Sequence, residues 1–179
     1  MNTRRRWLIG AGIALALQLS AIAVYRAVER SRADDEAEPL RHELLSGAPR
    51  GGDARLQSAS GGVTQLRSFA EPILVHFWAT WCEPCRRELP QLLALERPRV
   101  VLISLDDGWP VVRHFFEGNV PDSVLLDFEG GARTAFGVTT LPDSYLLGRG
   151  GRPIARFHGP RSWSSSAART ELARLLQNE

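Results

Sequence analysis

Cys82 and Cys85 are the only two cysteines in the chain, and Glu83 and Pro84 stand between them. A disulfide framework needs more cysteines at longer separations. A bond across two residues closes a loop so small that it adds little stability through chain entropy. The pair is therefore better explained by chemistry than by stapling. Thiol–disulfide exchange needs a thiolate, and an unperturbed cysteine is mostly protonated at neutral pH. At a helix N-terminus, unpaired backbone N–H groups and the macrodipole stabilise negative sulfur. Trp81-Cys82-Glu83-Pro84-Cys85 follows an apolar run and opens a helical pattern. Cys82 is thus expected at the helix mouth as nucleophile. Cys85 is expected one turn inward, where it can attack a mixed disulfide and release product. Pro84 suits the first helical turn.

The competing chemistry is a metal site. Tetrahedral zinc needs further ligands, commonly a second Cys pair or a His pair. Here His42, His76, His114 and His158 are dispersed with no such spacing. No metal and no cofactor is expected, although an exposed thiol pair leaves a copper-binding module as an alternative.

The elements that must position the pair read as follows. Ile73 to Trp78 is apolar enough for a strand buried on both faces. Leu89, Leu92 and Leu93 recur at helical spacing behind the cysteines. Arg99 to Leu105 predicts the next buried strand, Trp109 to Glu117 a helix with Pro110 in its first turn, Ser123 to Asp127 a short strand and Gly131 to Phe136 a short helix. Ala59-Ser60-Gly61-Gly62 marks a short hairpin turn. Gly148 to Gly151, between Ser144–Leu147 and Ile154–Phe157, marks a second, antiparallel hairpin. Ser162 and Ser164 to Ser166 offer caps for a last helix, with Ala168, Leu172, Leu175 and Leu176 as its buried stripe. The economical packing is α/β: a parallel pair extended by antiparallel strands, with helices on both faces.

Residues 1–28 are a separate matter. Trp7 to Tyr25 carries no charge and would span roughly 28 Å as a helix, about the thickness of a bilayer core. Arg4 to Arg6 precede it, and Trp7 and Tyr25 sit at its ends, where aromatic rings favour the membrane interface. A cleaved signal is the alternative: Ala21-Ile22-Ala23 is a passable cleavage site, and Thr3 to Leu8 resembles a twin-arginine export signal. The length of the uncharged stretch favours a retained single-pass anchor. Both readings put the rest of the chain outside the cytoplasm. Residues 29–50 read as a polar tether, and 51–179 as the folded domain. The net charge of +2 over 179 residues, with no basic run interleaved with aromatics after residue 40, argues against a nucleic-acid partner.

Phe77 through Pro90, containing Trp78-Ala79-Thr80-Trp81-Cys82-Glu83-Pro84-Cys85-Arg86-Arg87-Glu88, resembles the active-site segment of the TlpA/ResA-like branch of thioredoxin-fold proteins. Thr139 to Leu147 resembles that family's cis-proline segment and following strand. The resemblance covers about residues 47 to 178. It implies a thioredoxin fold, with a central mixed sheet flanked by helices, and exchange with protein thiols outside the cytoplasm. It also implies that Pro142 is the cis-proline facing the cysteine pair and that the backbone of Leu141 pairs with substrate. Trp81 is expected in the same groove, and Pro90 as a structural, helix-kinking proline. Glu88 matches an acidic residue that tunes the cysteines; the bland alternative is a solvated helix glutamate. His76 departs from the pattern, since thioredoxin carries a buried aspartate there and many relatives an asparagine. It is read as a core histidine satisfied by a backbone group in preference to a proton relay. Arg86 and Arg87 are expected on a solvated face, and no role is assignable to Trp109 or Trp163.

The function these readings converge on is a thiol–disulfide oxidoreductase. Reduction of disulfides in exported proteins, as in cytochrome c or other metalloprotein assembly, is the first hypothesis. The catalytic domain would sit on the periplasmic side of the inner membrane, supplied by a membrane electron donor. Oxidase or isomerase activity on the same fold, the copper module, and a weaker peroxidase reading are the alternatives.

Overall fold

The computed structural model describes residues 18, 20–26, 41–45 and 50–177. Residues 20–26 are helical. Most of the expected anchor and of the expected tether lies outside the described residues. Among the described residues no helix is long and apolar enough to cross a membrane.

Residues 38–179 form one compact unit. Its strands are β1 (Glu43–Leu44), β2 (Leu56–Ser58), β3 (Val63–Thr64), β4 (Ile73–Trp78), β5 (Arg99–Ser104), β6 (Val124–Leu126), β7 (Asp143–Leu147) and β8 (Pro153–His158). Its α-helices are α1 (Glu83–Leu93), α2 (Trp109–Phe115), α3 (Gly131–Phe136) and α4 (Ser166–Leu176). The strands make one sheet in the order β1-β8-β7-β4-β5-β6-β2-β3. Here β4, β5 and β6 run parallel, and β7 and β8 are antiparallel to their neighbours. The parallel core is thus three strands where the sequence suggested two. The crossover through α2 returns the chain to lay β6 beside β5 in the same direction. Glu43 and Leu44, in the stretch read as tether, pair with Arg156 and Ala155 at the sheet's edge.

Every side chain of β4 is buried, as its apolar run requires of the strand that lies between β5 and β7. Strand alternation then divides the core in two. Leu74, Trp78, Leu102 and Leu146 face one side, packed with Cys85, Leu89 and Leu92 of α1, Val112 of α2, and Ala168, Leu172 and Leu175 of α4. Ile73, Val75, Phe77, Val101, Ile103, Tyr145 and Leu147 face the other, against Ala132 and Phe136 of α3. His76 alternates with Leu74 and Trp78, so it belongs to the α1 side. Ser165 caps α4, its hydroxyl accepting from the Ala168 N–H at 3.1 Å.

Candidate active site

The loop from β4 to α1 is tied down before it reaches the cysteines. The carboxylate of Asp106, just past β5, accepts from the Thr80 backbone N–H at 3.0 and 3.2 Å and from the Thr80 hydroxyl at 2.7 Å. Asp106 is itself held by the Ser104 hydroxyl at 2.8 Å. The Cys82 N–H donates to the Ala79 carbonyl at 3.1 Å, closing a tight turn that leaves Trp81 71% exposed at its tip. Cys82 is the N-cap of α1, its sulfur accepting from the Cys85 N–H at 3.3 Å, and Pro84 lies in the first turn. Cys82 and Cys85 form a disulfide. Cys82 keeps slight exposure, at 5%, whereas Cys85 has none. A sulfur at the helix mouth and its partner one turn inward is the arrangement the spacing called for. Pro90 falls inside α1 on its exposed side.

The Leu141–Pro142 peptide bond is cis. Leu141 is half-buried, Pro142 is buried, and the Pro142 carbonyl accepts from the Gly159 N–H at 3.0 Å. Asp143, which follows, is buried and bound by Arg156 through Nε at 3.2 Å and Nη2 at 2.6 Å.

Glu88 is only 3% exposed, which removes the reading of it as a solvated helix residue. Its Oε1 accepts from the Trp163 indole N–H at 2.8 Å and from the Arg161 backbone N–H at 2.7 Å. Burial raises its pKa to about 7, against the lowering effect of those two bonds and of the more distant Arg161 and Arg87 charges. Glu88 lies three residues from Cys85 on the same helix. Trp163 has a role after all: fully buried in the loop before α4, it reaches Glu88 from the far end of the domain. No local pattern in the sequence signals that contact.

His76 is completely buried, and desolvation lowers its pKa to about 3, so it is neutral. Its Nδ1 lies 2.8 Å from the Ser144 hydroxyl on β7. The expected backbone partner is thus replaced by a side chain, because residues 76 and 144 stand opposite each other in the β4–β7 ladder. Nε2 lies 4.0 Å from Glu88 Oε2, and both atoms are buried without a hydrogen bond. Arg86 and Arg87 are exposed; Arg87 pairs with Glu83 at 2.6 Å, and the Arg86 guanidinium sits over Phe115. Trp109 is buried, and its indole N–H donates to Gln57 at 2.8 Å, tying α2 to the β2 hairpin. Among the described residues no group of three or more His, Cys, Asp or Glu side chains could hold a metal ion.

A disulfide at the first turn of the helix that follows the central strand of a mixed sheet is the arrangement of a thioredoxin-like thiol–disulfide oxidoreductase. No protein-family model matches the chain. Its relatives agree with the class. Sporulation thiol-disulfide oxidoreductase A of Bacillus subtilis (strain 168) is 26% identical over 115 residues, 59% of this chain and 70% of the relative. Thiol-disulfide oxidoreductase ResA of the same organism is 24% identical over 163 residues, 86% of each chain. Other relatives are matched over less of their length, 64% for the ResA of Bacillus thuringiensis and 50% for a DsbE homologue of Paracoccus denitrificans. In fold, the chain is similar to a secreted Mycobacterium tuberculosis disulfide oxidoreductase homologous to E. coli DsbE, with a TM-score of 0.55 and 21% identity over 74% of this chain and 100% of that one. The chain is thus similar to thiol–disulfide oxidoreductases of the ResA and DsbE type.

Proposed function

We propose that the chain is a reductase of disulfides in exported proteins, working by dithiol–disulfide exchange. The observation that carries this reading is the asymmetry of the pair: Cys82 at a helix mouth beside exposed Trp81, and Cys85 enclosed on the face that carries Glu88. The Cys82 thiolate attacks a substrate disulfide, and one substrate thiolate leaves and takes up a proton. Glu88 accepts the Cys85 proton, and the Cys85 thiolate attacks the mixed disulfide at Cys82. The second substrate thiol departs, and two electrons have passed from the protein dithiol to the substrate disulfide. A membrane dithiol donor restores the reduced pair. Trp81, Leu141 and Pro142 form the substrate groove, with the backbone of Leu141 pairing to the bound segment. Residues 1–28 anchor the protein in the cytoplasmic membrane, with the domain from residue 51 on the periplasmic side. Substrates in cytochrome c or other metalloprotein assembly fit this placement.

Variants at the two cysteines test the reading. Cys85→Ser accumulates mixed disulfides through Cys82, which also identifies the substrates, and Cys82→Ser loses both turnover and trapping. A couple near the thioredoxin value of about −270 mV supports a reductase, whereas one near −120 mV makes the protein an oxidant. The anchored form stays in the membrane fraction and loses its domain to protease added outside. A mature N-terminus at Val24 overturns the anchor but not the compartment.

A further inference from the structure

We propose that His76 is a positioning residue of the exchange reaction, its Nε2 serving as acceptor for the carboxyl proton of Glu88, so that the proton taken from Cys85 rests between Oε2 and Nε2. This rests on the proton-acceptor role assigned to Glu88 above. The two oxygens of Glu88 are unlike. Oε1 is saturated by two N–H donors, from Trp163 and from the Arg161 backbone. Oε2 is buried with no partner and faces Nε2, which also has none, at 4.0 Å. A carboxyl that gains a proton carries it on the oxygen that no donor already occupies, and that O–H then needs an acceptor. A neutral imidazole offers one lone pair and one N–H. Nδ1 lies 2.8 Å from the Ser144 hydroxyl, and either can be the donor. In the proposed state Nδ1–H donates to Ser144, which leaves the lone pair on Nε2, 4.0 Å from Oε2. A small closing movement makes the bond. Without that acceptor the buried O–H would be left unsatisfied, which disfavours the acid form.

The charges around Glu88 do not supply an alternative partner for Oε2. Arg161 reaches Glu88 by its backbone N–H, and the Arg87 guanidinium is held by Glu83. On the β7 side His76 meets the hydroxyl of Ser144, and on the β5 side its register partner is Leu102. His76 thus stands on its strand opposite a serine whose hydroxyl occupies its Nδ1 side.

Two measurements test the assignment. Nitrogen-15 spectra of the histidine-labelled full chain, at a pH below the Glu88 inflection, report which ring nitrogen of His76 carries the proton. Nδ1–H is expected, and Nε2–H overturns the proposal. Second, the pH profile of oxidised-glutathione reduction by the full chain shows an inflection that Glu88→Gln removes. In His76→Phe the acid form loses its acceptor, so the inflection moves down by about one pH unit, the worth of one net buried hydrogen bond. An unchanged inflection, or one that moves up as loss of a donor to the carboxylate requires, overturns the proposal. Should His76→Phe fail to fold, Ser144→Ala frees the Nδ1 side and lowers the inflection in the same way. Absence of any exchange by the unaltered chain strikes at the function proposed above, and the spectrum still decides the tautomer.

Discussion

Two buried carboxylates flank the site, Asp143 behind the cis-proline and Glu88 behind the cysteines, and they are treated in opposite ways. Asp143 is 1% exposed and is met by a cation: Arg156 binds both of its oxygens, and His158 approaches Oδ1 at 3.6 Å. Glu88 is 3% exposed and is met by neutral N–H groups on one oxygen and by an unbonded neutral imidazole on the other. A bidentate guanidinium compensates the desolvation of a carboxylate. Two amide-like donors compensate it only in part, and the charge is left poised. Asp143 is fully paired with a cation, whereas the incompletely paired Glu88 has its pKa raised to about 7 by burial.

Removing one partner of the paired acid has the largest expected effect. Asp143→Ala leaves the Arg156 guanidinium mostly buried without its counter-ion, and about 3–5 kcal/mol of stability is lost, read from the denaturant midpoint at constant slope. Glu88→Gln keeps an acceptor for Trp163 and Arg161 and so costs far less stability, while slowing exchange by about 10²-fold or more. If the two variants unfold alike, the contrast fails.

Stability against pH comes next. The folded-state pKa of Glu88 is raised, from 4.5 to about 7, so the folded protein holds that proton more tightly than the unfolded chain. Its contribution is fully present below about pH 4.5 and is lost as pH rises through 7, by at most about 3 kcal/mol. His76, with its pKa lowered, acts in the opposite sense and costs stability as pH falls below 6.5 toward 3. The difference between wild type and Glu88→Gln, measured by urea unfolding from pH 4.5 to 8, isolates the first slope.

Smaller effects follow from single donors. Trp163→Phe removes one of the two bonds that favour the charged form of Glu88, so the exchange inflection moves up by about one unit. Tyr145→Phe removes the hydroxyl that donates to the Phe136 carbonyl at 2.7 Å and touches Asp143 at 3.4 Å. It costs about 1 kcal/mol in thermal unfolding and leaves the exchange profile where it was.

Much of the frame was legible in the sequence because it rests on local patterns. The apolar run of β4, the serine cap and apolar stripe of α4, and the glycine-marked turn between β7 and β8 each declare themselves within a dozen residues. The cysteine pair was legible for the same reason: its chemistry needs only the spacing and the helix that follows. The environment of Glu88 was not. It is assembled from residues 76, 144, 161 and 163, which meet only when β7 pairs with β4 and the loop before α4 folds over α1. For that reason the sequence alone shows neither the contact of Trp163 with Glu88 nor Ser144 as the partner of His76. The pairing of β1 was hidden too, since two residues in a polar stretch give no alternation to read.

Those two residues have a consequence of their own. Both outer strands of the eight-stranded sheet, β1 and β3, are only two residues long. A long bare edge offers a row of free backbone donors and acceptors to any extended chain. Templated growth of such a chain onto the sheet would turn a transient encounter into co-aggregation. With its outer strands cut this short, the sheet gives a passing backbone little outer-strand edge to zip onto.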